Sequence, residues 1–359
     1  MNVCIDGSDL QRWMRELLEK MGVSETVASS TAESLVDAEL RGISTHGLVR
    51  FPLYVKRLRL GLINKNPKAA FVSSGAAAET MDGDNGLGQW VGLESMMRAC
   101  DLAASAGIGM VLAKHSNHFG AAGWFARKAN QRGFAAIVWT QAESHVVPFG
   151  GTERLCGTNP ICISMPWTEH EPITLDMATS AIPYGKVELA KAANSKIPPD
   201  WAVDGDGAPT TDPHRVHALQ PMAGPKGSGL GLLIDLLSGG LAGETCGPAV
   251  TRMYEDFEHP HNLAHGFIAI KAASFSAAGR TDAVIDKLAG KLRGQRPASG
   301  FSEVLLPGEL EVRNAKNRLQ KGIDIPQSLF NTVQELSNEY GVPDFIPADA
   351  NKKCRRRSP

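Results

Sequence analysis

The sequence predicts an α/β protein, a sheet core wrapped by helices from both ends of the chain. Three observations predict it. Apolar residues recur at helical spacing up to about residue 75. Short β-rich segments separated by helical ones fill the stretch from 76 to 294. The residues after 295 return to helical spacing. The expected division is therefore a helical region 1–75, an α/β core 76–294 and a helical region 295–359 packed with the first. Residues 350–359, which include Lys352-Lys353-Cys354-Arg355-Arg356-Arg357, read as a disordered basic tail.

The elements follow in order. Ser8 and Gln11 have capping-box spacing, and Leu10, Trp13, Met14, Leu17, Leu18 and Met21 then mark one face of a helix that Gly22 stops. Ser24 opens a second helix, ending near Arg41-Gly42. A third begins near Ser44 and carries Leu48, Phe51, Tyr54, Val55 and Leu58; Pro52 predicts a kink or a late start. Strands are predicted at 78–82, 108–113, 134–139, 161–165, 173–177 and 266–270, and helices at 89–106 and 121–131. Residues 194–213, rich in Pro, Asp, Gly and Thr, read as an irregular loop. Residues 225–229 form a glycine-rich turn before an apolar helix over 230–241, and helices at 277–293 and 326–340 complete the chain.

Composition narrows the function. Charged residues are 21% of the chain and the formal net charge is -1, so nucleic acid is not an expected partner. The six cysteines are scattered and form no CxxC pair, as in a reducing compartment. The N-terminus lacks signal-peptide character, and no apolar run is long enough for a membrane. A cytoplasmic protein without membrane contact is the expectation.

Two segments carry the chemistry, Ser44-Thr45-His46-Gly47-Leu48-Val49-Arg50 and His115-Ser116-Asn117-His118-Phe119-Gly120. Histidine is the usual proton shuttle near neutral pH. An arginine can grip a carboxylate through two parallel hydrogen bonds. If 44–58 is one helix, His46 and Arg50 share a face about one turn apart. Two histidines and an arginine suit acid/base work on a small anion. The G-x-G-x-x-G fingerprint and the Walker loop are both absent, so any nucleotide uses another cradle. The turn at 225–229 is a candidate anion site, with Lys226 supplying charge. Asp176, at a strand end, either accepts from a ribose hydroxyl or caps a helix. His115 and His118, and the later group His259, His261 and His265, lack the spacing of a zinc site, and no metal is expected.

These segments together resemble the type 2 malate/L-lactate dehydrogenase family over nearly the whole chain. The matching runs are Ser44-Thr45-His46-Gly47 with Arg50, Asn117-His118-Phe119-Gly120, Val147-Pro148-Phe149-Gly150-Gly151 and Gly157-Thr158-Asn159-Pro160. Asp176-Met177-Ala178-Thr179, Gly185-Lys186-Val187, Pro209-Thr210-Thr211-Asp212-Pro213, Gly224-Pro225-Lys226-Gly227 and Pro307-Gly308-Glu309 continue the series. Within the family, the stretch from Trp201 to Leu219 and Met253-Tyr254-Glu255-Asp256 look most like ureidoglycolate dehydrogenase.

The resemblance implies a dinucleotide fold that is not Rossmann, and a homodimer or assembly of dimers with the cofactor near the subunit contact. It implies hydride transfer between NAD, or NADP, and a small 2-hydroxy or 2-keto acid of the ureidoglycolate, malate or lactate type. His118 matches a proton acceptor and His46 an acid/base position of different relatives. Arg50, Ser44 and His145 are the implied substrate contacts. Ala142, Asp176, Met177, Ala178, Lys226, Pro307, Gly308 and Glu309 are the implied cofactor contacts. Ser228 stands where relatives often carry an aromatic residue. Ala142-Glu143-Ser144-His145 stands where they carry small polar residues and often proline, which ties His145 to substrate choice. Reduction of a cyclic imine acid on the same fold is the alternative, and a nucleotide-binding protein without turnover is the remaining class. A substrate panel separates the first two; a missing nucleotide-induced thermal shift would favour the third.

Overall fold

The computed structural model describes residues 2–277 and 279–343; the basic tail expected at 350–359 lies outside the described residues. A short strand β1 (Asn2–Ile5) leads into helix α1 (Gly7–Lys20). The cap of α1 is Asp6, not Ser8: its carboxylate accepts from the amides of Ser8 and Asp9. Helix α2 (Glu25–Leu40) follows, starting after Ser24. The third helix, α3 (Phe51–Arg59), is the late start that Pro52 predicts, preceded by two 3-10 turns, Ser44–His46 and Leu48–Arg50. Residues 44–58 are therefore not one helix. The buried Glu39 carboxylate is the reason: it accepts from the Ser44 hydroxyl at 2.8 Å and the Leu48 amide at 2.9 Å, pulling the chain inward at Gly47. A Cβ on Gly47 would lie 2.3 Å from that carboxylate, so glycine is required there.

The core sheet gathers seven strands. They are β2 (Ala70–Gly75), β3 (Ala78–Asp82), β4 (Ile108–Ser116), β5 (Phe134–Thr140), β6 (Ile161–Met165) and β7 (Ile173–Met177), with a later strand inserted between β4 and β5. Helices α4 (Gly88–Ala106) and α5 (Ala122–Gln131) connect β3 to β4 and β4 to β5. They pack side by side on the sheet, and α2 lies against α4. After β7 comes α6 (Gly185–Ala192), then a small ribbon of β8 (Ala202–Val203) and β9 (Ala218–Leu219) inside the stretch expected to be irregular.

Helix α7 (Pro225–Asp235) begins five residues earlier than expected and runs into a π turn, Leu236–Gly240. The inserted strand is β10 (Leu263–Lys271), antiparallel to both β4 and β5. Its Gly266 lies opposite Trp139, whose indole would sit 2.0 Å from a Cβ. Only β3 and β4 run parallel among the sheet pairs. The chain closes with α8 (Arg280–Arg293), α9 (Glu309–Lys321), β11 (Ile323–Pro326) and α10 (Gln327–Tyr340).

The two ends of the chain meet. Strand β1 pairs antiparallel with β11, and the Trp13 indole donates to the Ser337 hydroxyl at 2.8 Å. One apolar core runs from Ile5 through Trp13, Phe51, Phe125 and Phe267 to Val342. The sheet core wrapped by terminal helices is thus present, held by burial of apolar side chains from both ends of the chain and from the sheet, while residues between Val146 and Leu219 pack in clusters of their own. Among the described residues no helix is long and apolar enough to cross a membrane.

Candidate active site

Four connections bring their side chains to one cleft. They are the 3-10 turns before α3, the loop after β4, the loop after β5 and the end of β7. The loop before β10 closes it, and the cavity is about 260 Å³. His46, Arg50, His118, Ala142, His145, Asp176, Met177 and Ala178 all line it. Residues 46 and 118, far apart in the chain, have stacked rings with centroids 5.7 Å apart. The loop carrying His118 is pinned by the Asn117 side-chain amide, which donates to the Gly86 carbonyl at 2.8 Å and the Asn85 side-chain oxygen at 3.0 Å.

Arg50 donates through Nε to the Thr45 carbonyl at 2.6 Å and stands over the Tyr254 ring at 5.4 Å. Its two Nη groups make no hydrogen bond among the described residues, which leaves the planar face that grips a carboxylate free. The guanidinium also acts on the imidazoles. Burial and then the Arg50 charge push His46 down to about 4. The same two causes hold His118 well below the ordinary imidazole value, with His46, His261 and His265 adding to the effect. Both rings are neutral at physiological pH, and a neutral imidazole is ready to take a proton.

Behind His118 lies a partner that spacing does not reveal. The Tyr54 hydroxyl is 2.6 Å from His118 Nδ1, and Gln89 is 3.1 Å from the same hydroxyl. With the Gln89 nitrogen donating to the phenol oxygen, Tyr54 donates to Nδ1. Nε2 then carries the imidazole proton. Gln89 Oε1 is buried and has no partner in that arrangement. Turning the amide over lets Oε1 accept the phenol proton, so Tyr54 accepts from Nδ1–H and Nε2 is bare, the form that takes a hydroxyl proton. The chain from Gln89 through Tyr54 thus gives either tautomer of the His118 ring a partner at Nδ1. Tyr54→Phe is expected to lower kcat about tenfold, the weight of one such hydrogen bond, while reduced-coenzyme binding persists. Unchanged kcat with a folded variant would remove Tyr54 from the relay.

The loop after β5 adds a second buried group. Glu143 accepts from His145 Nε2 at 3.0 Å and from the Met253 amide, with His261 Nε2 at 3.9 Å. Burial raises its carboxyl, but these partners outweigh it and hold the carboxyl below its ordinary value. Arg57, fully buried, donates to the carbonyls of Met253, Asp256 and His259 at 3.2, 2.7 and 2.9 Å, and so clamps the loop that supplies Met253, Tyr254 and His261.

The remaining expected residues are placed otherwise. Ser44 is not in the cleft; its hydroxyl serves Glu39. Pro307 and Gly308 line an adjoining cavity of about 120 Å³ that shares Ile43, Asp176 and Glu311 with the cleft. Glu309 lines neither: its carboxylate accepts from the Leu306 amide at 2.7 Å and from the Arg293 guanidinium, closing the start of α9. Lys226 stands in the first turn of α7, outside the cleft. The expected anion turn is that first turn itself, and the Gly227 and Ser228 amides already donate to the carbonyls of Met222 and Gly224. Asp176 does cap a helix, accepting from the Gly123 amide at 2.7 Å, and still borders the cleft. His115 bonds Asp82 and Glu244 away from it. Among the described residues no three His, Cys, Asp or Glu side chains gather as a metal site.

Residues 5–334 match the family model described as malate/L-lactate dehydrogenase. The L-sulfolactate dehydrogenase of Methanocaldococcus jannaschii is 39% identical over 92% of this chain and 96% of its own length. The ureidoglycolate dehydrogenase (NAD(+)) of Escherichia coli K12 is 35% identical over 94% and 99%. The crystal structure of malate dehydrogenase from Entamoeba histolytica superposes with a TM-score of 0.91 at 29% identity, covering 96% of this chain and 99% of that one. Ureidoglycolate dehydrogenase is thus one relative among several whose named acids differ.

Proposed function

Because this chain belongs to the malate/L-lactate dehydrogenase family, we propose that the cleft around His118 and Arg50 is its active site. The protein is an NAD(P)-dependent oxidoreductase of small 2-hydroxy acids. The observation that carries the site is the meeting of a neutral histidine backed by Tyr54 with an arginine whose Nη groups are free.

The cavities fit a dinucleotide. The cleft passes Ala142 and the end of β7 at Asp176, Met177 and Ala178, then continues to Pro307 and Gly308. At Gly308, φ is +89° and a Cβ would meet the Thr174 carbonyl at 3.0 Å, so the wall there stays bare backbone. These residues would hold the coenzyme. When bound, nicotinamide supplies the acceptor for the hydride on the carbon bearing the hydroxyl. Arg50 fixes the substrate carboxylate and so orients that carbon. His118 Nε2 takes the hydroxyl proton, and the imidazolium that forms is held by Nδ1–H donating to Tyr54, whose hydroxyl donates to Gln89 Oε1. In the reverse direction the same nitrogen returns the proton to the keto oxygen. His46, stacked on His118 and bonded to the Thr45 hydroxyl at 3.0 Å, holds the ring in place and is the second candidate for the acid/base role.

NAD is the proposed coenzyme. Asp176 borders the shared cavity as an acceptor for a ribose hydroxyl, with Glu311, Arg41 and Arg127 beside it. A dimer is also proposed. Leu232, Leu233, Leu236, Leu237 and Leu241 of α7 and its π turn are 43–58% exposed, an apolar face suited to a second copy. Initial rates with 2-hydroxy acids and both coenzymes, read at the nicotinamide absorbance, test the assignment; no turnover of any acid with either coenzyme rejects it. Arg50→Leu is expected to raise KM for carboxylate substrates about a hundredfold, the cost of a lost charged pair in a desolvated site. An unchanged KM would take Arg50 out of the pocket.

A further inference from the structure

The turn that presents His46 and Arg50 is held from behind by a side chain outside the cleft. Glu39, in the last turn of α2, is 2% exposed. Its two oxygens reach both halves of the turn, Oε2 to the Ser44 hydroxyl at 2.8 Å and Oε1 to the Leu48 amide at 2.9 Å. His46 lies between these anchors, and Arg50 two residues beyond the second. The backbone carries the constraint onward. The His46 amide donates to the Ile43 carbonyl at 2.9 Å, the Gly47 amide to the Ser44 carbonyl at 3.2 Å and the Arg50 amide to the Gly47 carbonyl at 3.0 Å. The Leu48 side chain is fully buried, so the second anchor is fixed by packing as well.

Glu39 is itself braced. Arg318, near the end of α9, donates to the Glu39 carbonyl and stands 4.0 Å from Oε2. Asn314, one turn earlier, donates to the Arg41 carbonyl at 3.2 Å. The brace needs no charge on the carboxyl. Burial raises Glu39, and the bonds from Ser44 and Leu48 and the Arg318 charge oppose the rise. In either state Oε1 accepts from Leu48, and Oε2 pairs with the Ser44 hydroxyl, one or the other donating. Neither Glu39 nor Ser44 lines the cleft, so their effect on a bound acid passes through the turn.

We infer that Glu39 is a positioning residue of the substrate site, setting through Ser44 and Leu48 where His46 and Arg50 stand in the cleft. This rests on the dehydrogenase reading above and deepens it. Glu39→Met keeps the length of the side chain but removes both oxygens. Misplacing a reacting group by about 1 Å costs roughly a hundredfold, and kcat/KM for 2-hydroxy acids is expected to fall by that factor. KM rises through Arg50, while binding of reduced coenzyme, read by its fluorescence, holds. Glu39→Gln offers Oε1 to Leu48 and Nε2 to Ser44, and restores all but about fivefold, the weight of one hydrogen bond. Ser44→Ala, at an exposed position, costs about fivefold alone and nothing further beside Glu39→Met. Circular dichroism checks that the variants fold. A folded Glu39→Met enzyme with wild-type kcat/KM overturns the inference. So does a hundredfold loss in Glu39→Gln, or no loss in Ser44→Ala; these two decide the matter if Glu39→Met does not fold. No turnover of any acid by the wild-type enzyme would instead reject the dehydrogenase reading. Crystal structures of the variants then test the brace alone: the 5.7 Å spacing of the His46 and His118 rings is kept in Glu39→Gln and lost in Glu39→Met, and a turn unmoved in Glu39→Met overturns it.

Discussion

Replacing His118 by Ala lowers kcat by about two to four orders of magnitude, the usual weight of a positioned acid/base group. In free energy that is roughly 3–5 kcal/mol of transition-state stabilisation. The variant should still bind reduced coenzyme, because the walls at Asp176 to Ala178 and at Gly308 do not depend on the imidazole. Coenzyme fluorescence and steady-state rates separate the two effects. The pH profile gives a second reading. Burial and Arg50 hold His118 well below the ordinary value, so its base form persists as pH falls through 6.5. In the wild type the acid limb of kcat/KM for oxidation should therefore lie well below 6.5. Near-normal turnover in the variant would move the acid/base role to His46, and a limb centred at 6.5 would mean that the ring is not desolvated in the working enzyme.

Much of this architecture is readable from local pattern, and the exceptions share a cause. Helix α1 buries Leu10, Trp13, Met14, Leu17 and Leu18 at the spacing that predicts it. The strands β3 to β7 and β10 each carry apolar runs bounded by turn residues. Helix α9 buries none of its residues, so it has no apolar stripe to betray it. Strand β2 is exposed at every position, and β1 and β11 are four residues each, held by their mutual pairing. The site divides in the same way. His46, Arg50 and His118 are legible as residue types, but the helix expected to align the first two is broken by Glu39, which acts from an element earlier in the chain. Tyr54 reads as a core position of α3 and is one, buried beside Phe51 and Val55. Its second role depends on a contact across 64 residues of chain, which no periodicity encodes. Glu143, Gln89 and His261 are likewise defined only by what the fold sets against them.

The buried histidines make the fold itself acid-sensitive. His265 is fully buried, stacked on Phe119 at 4.6 Å, with Thr140 Oγ1 2.6 Å from Nδ1. His261 is 3% exposed, and among the described residues neither ring nitrogen has a hydrogen-bond partner. Burial pushes them down to about 3 and about 4. In the folded state both are neutral at pH 5, and in the unfolded chain both charge below about 6.5. Unfolding therefore takes up protons in this window. The stabilisation is complete above the unfolded value and is lost as pH falls toward the folded ones. These two protons contribute a slope on the order of 3 kcal/mol per pH unit between about pH 6 and 4, to which the buried His46 and His118 add. The carboxyls of Glu39, Asp176 and Asp235, raised by burial, oppose this trend. A single variant isolates the histidine contribution. His265→Gln keeps a polar side chain near Thr140 but cannot take up the proton, so its slope should fall by one proton's contribution, about 1.4 kcal/mol per pH unit. Urea unfolding at pH 8, 6 and 5 measures both. Stability that is flat from pH 7 to 5, or a slope the variant leaves unchanged, would mean that these rings already reach solvent.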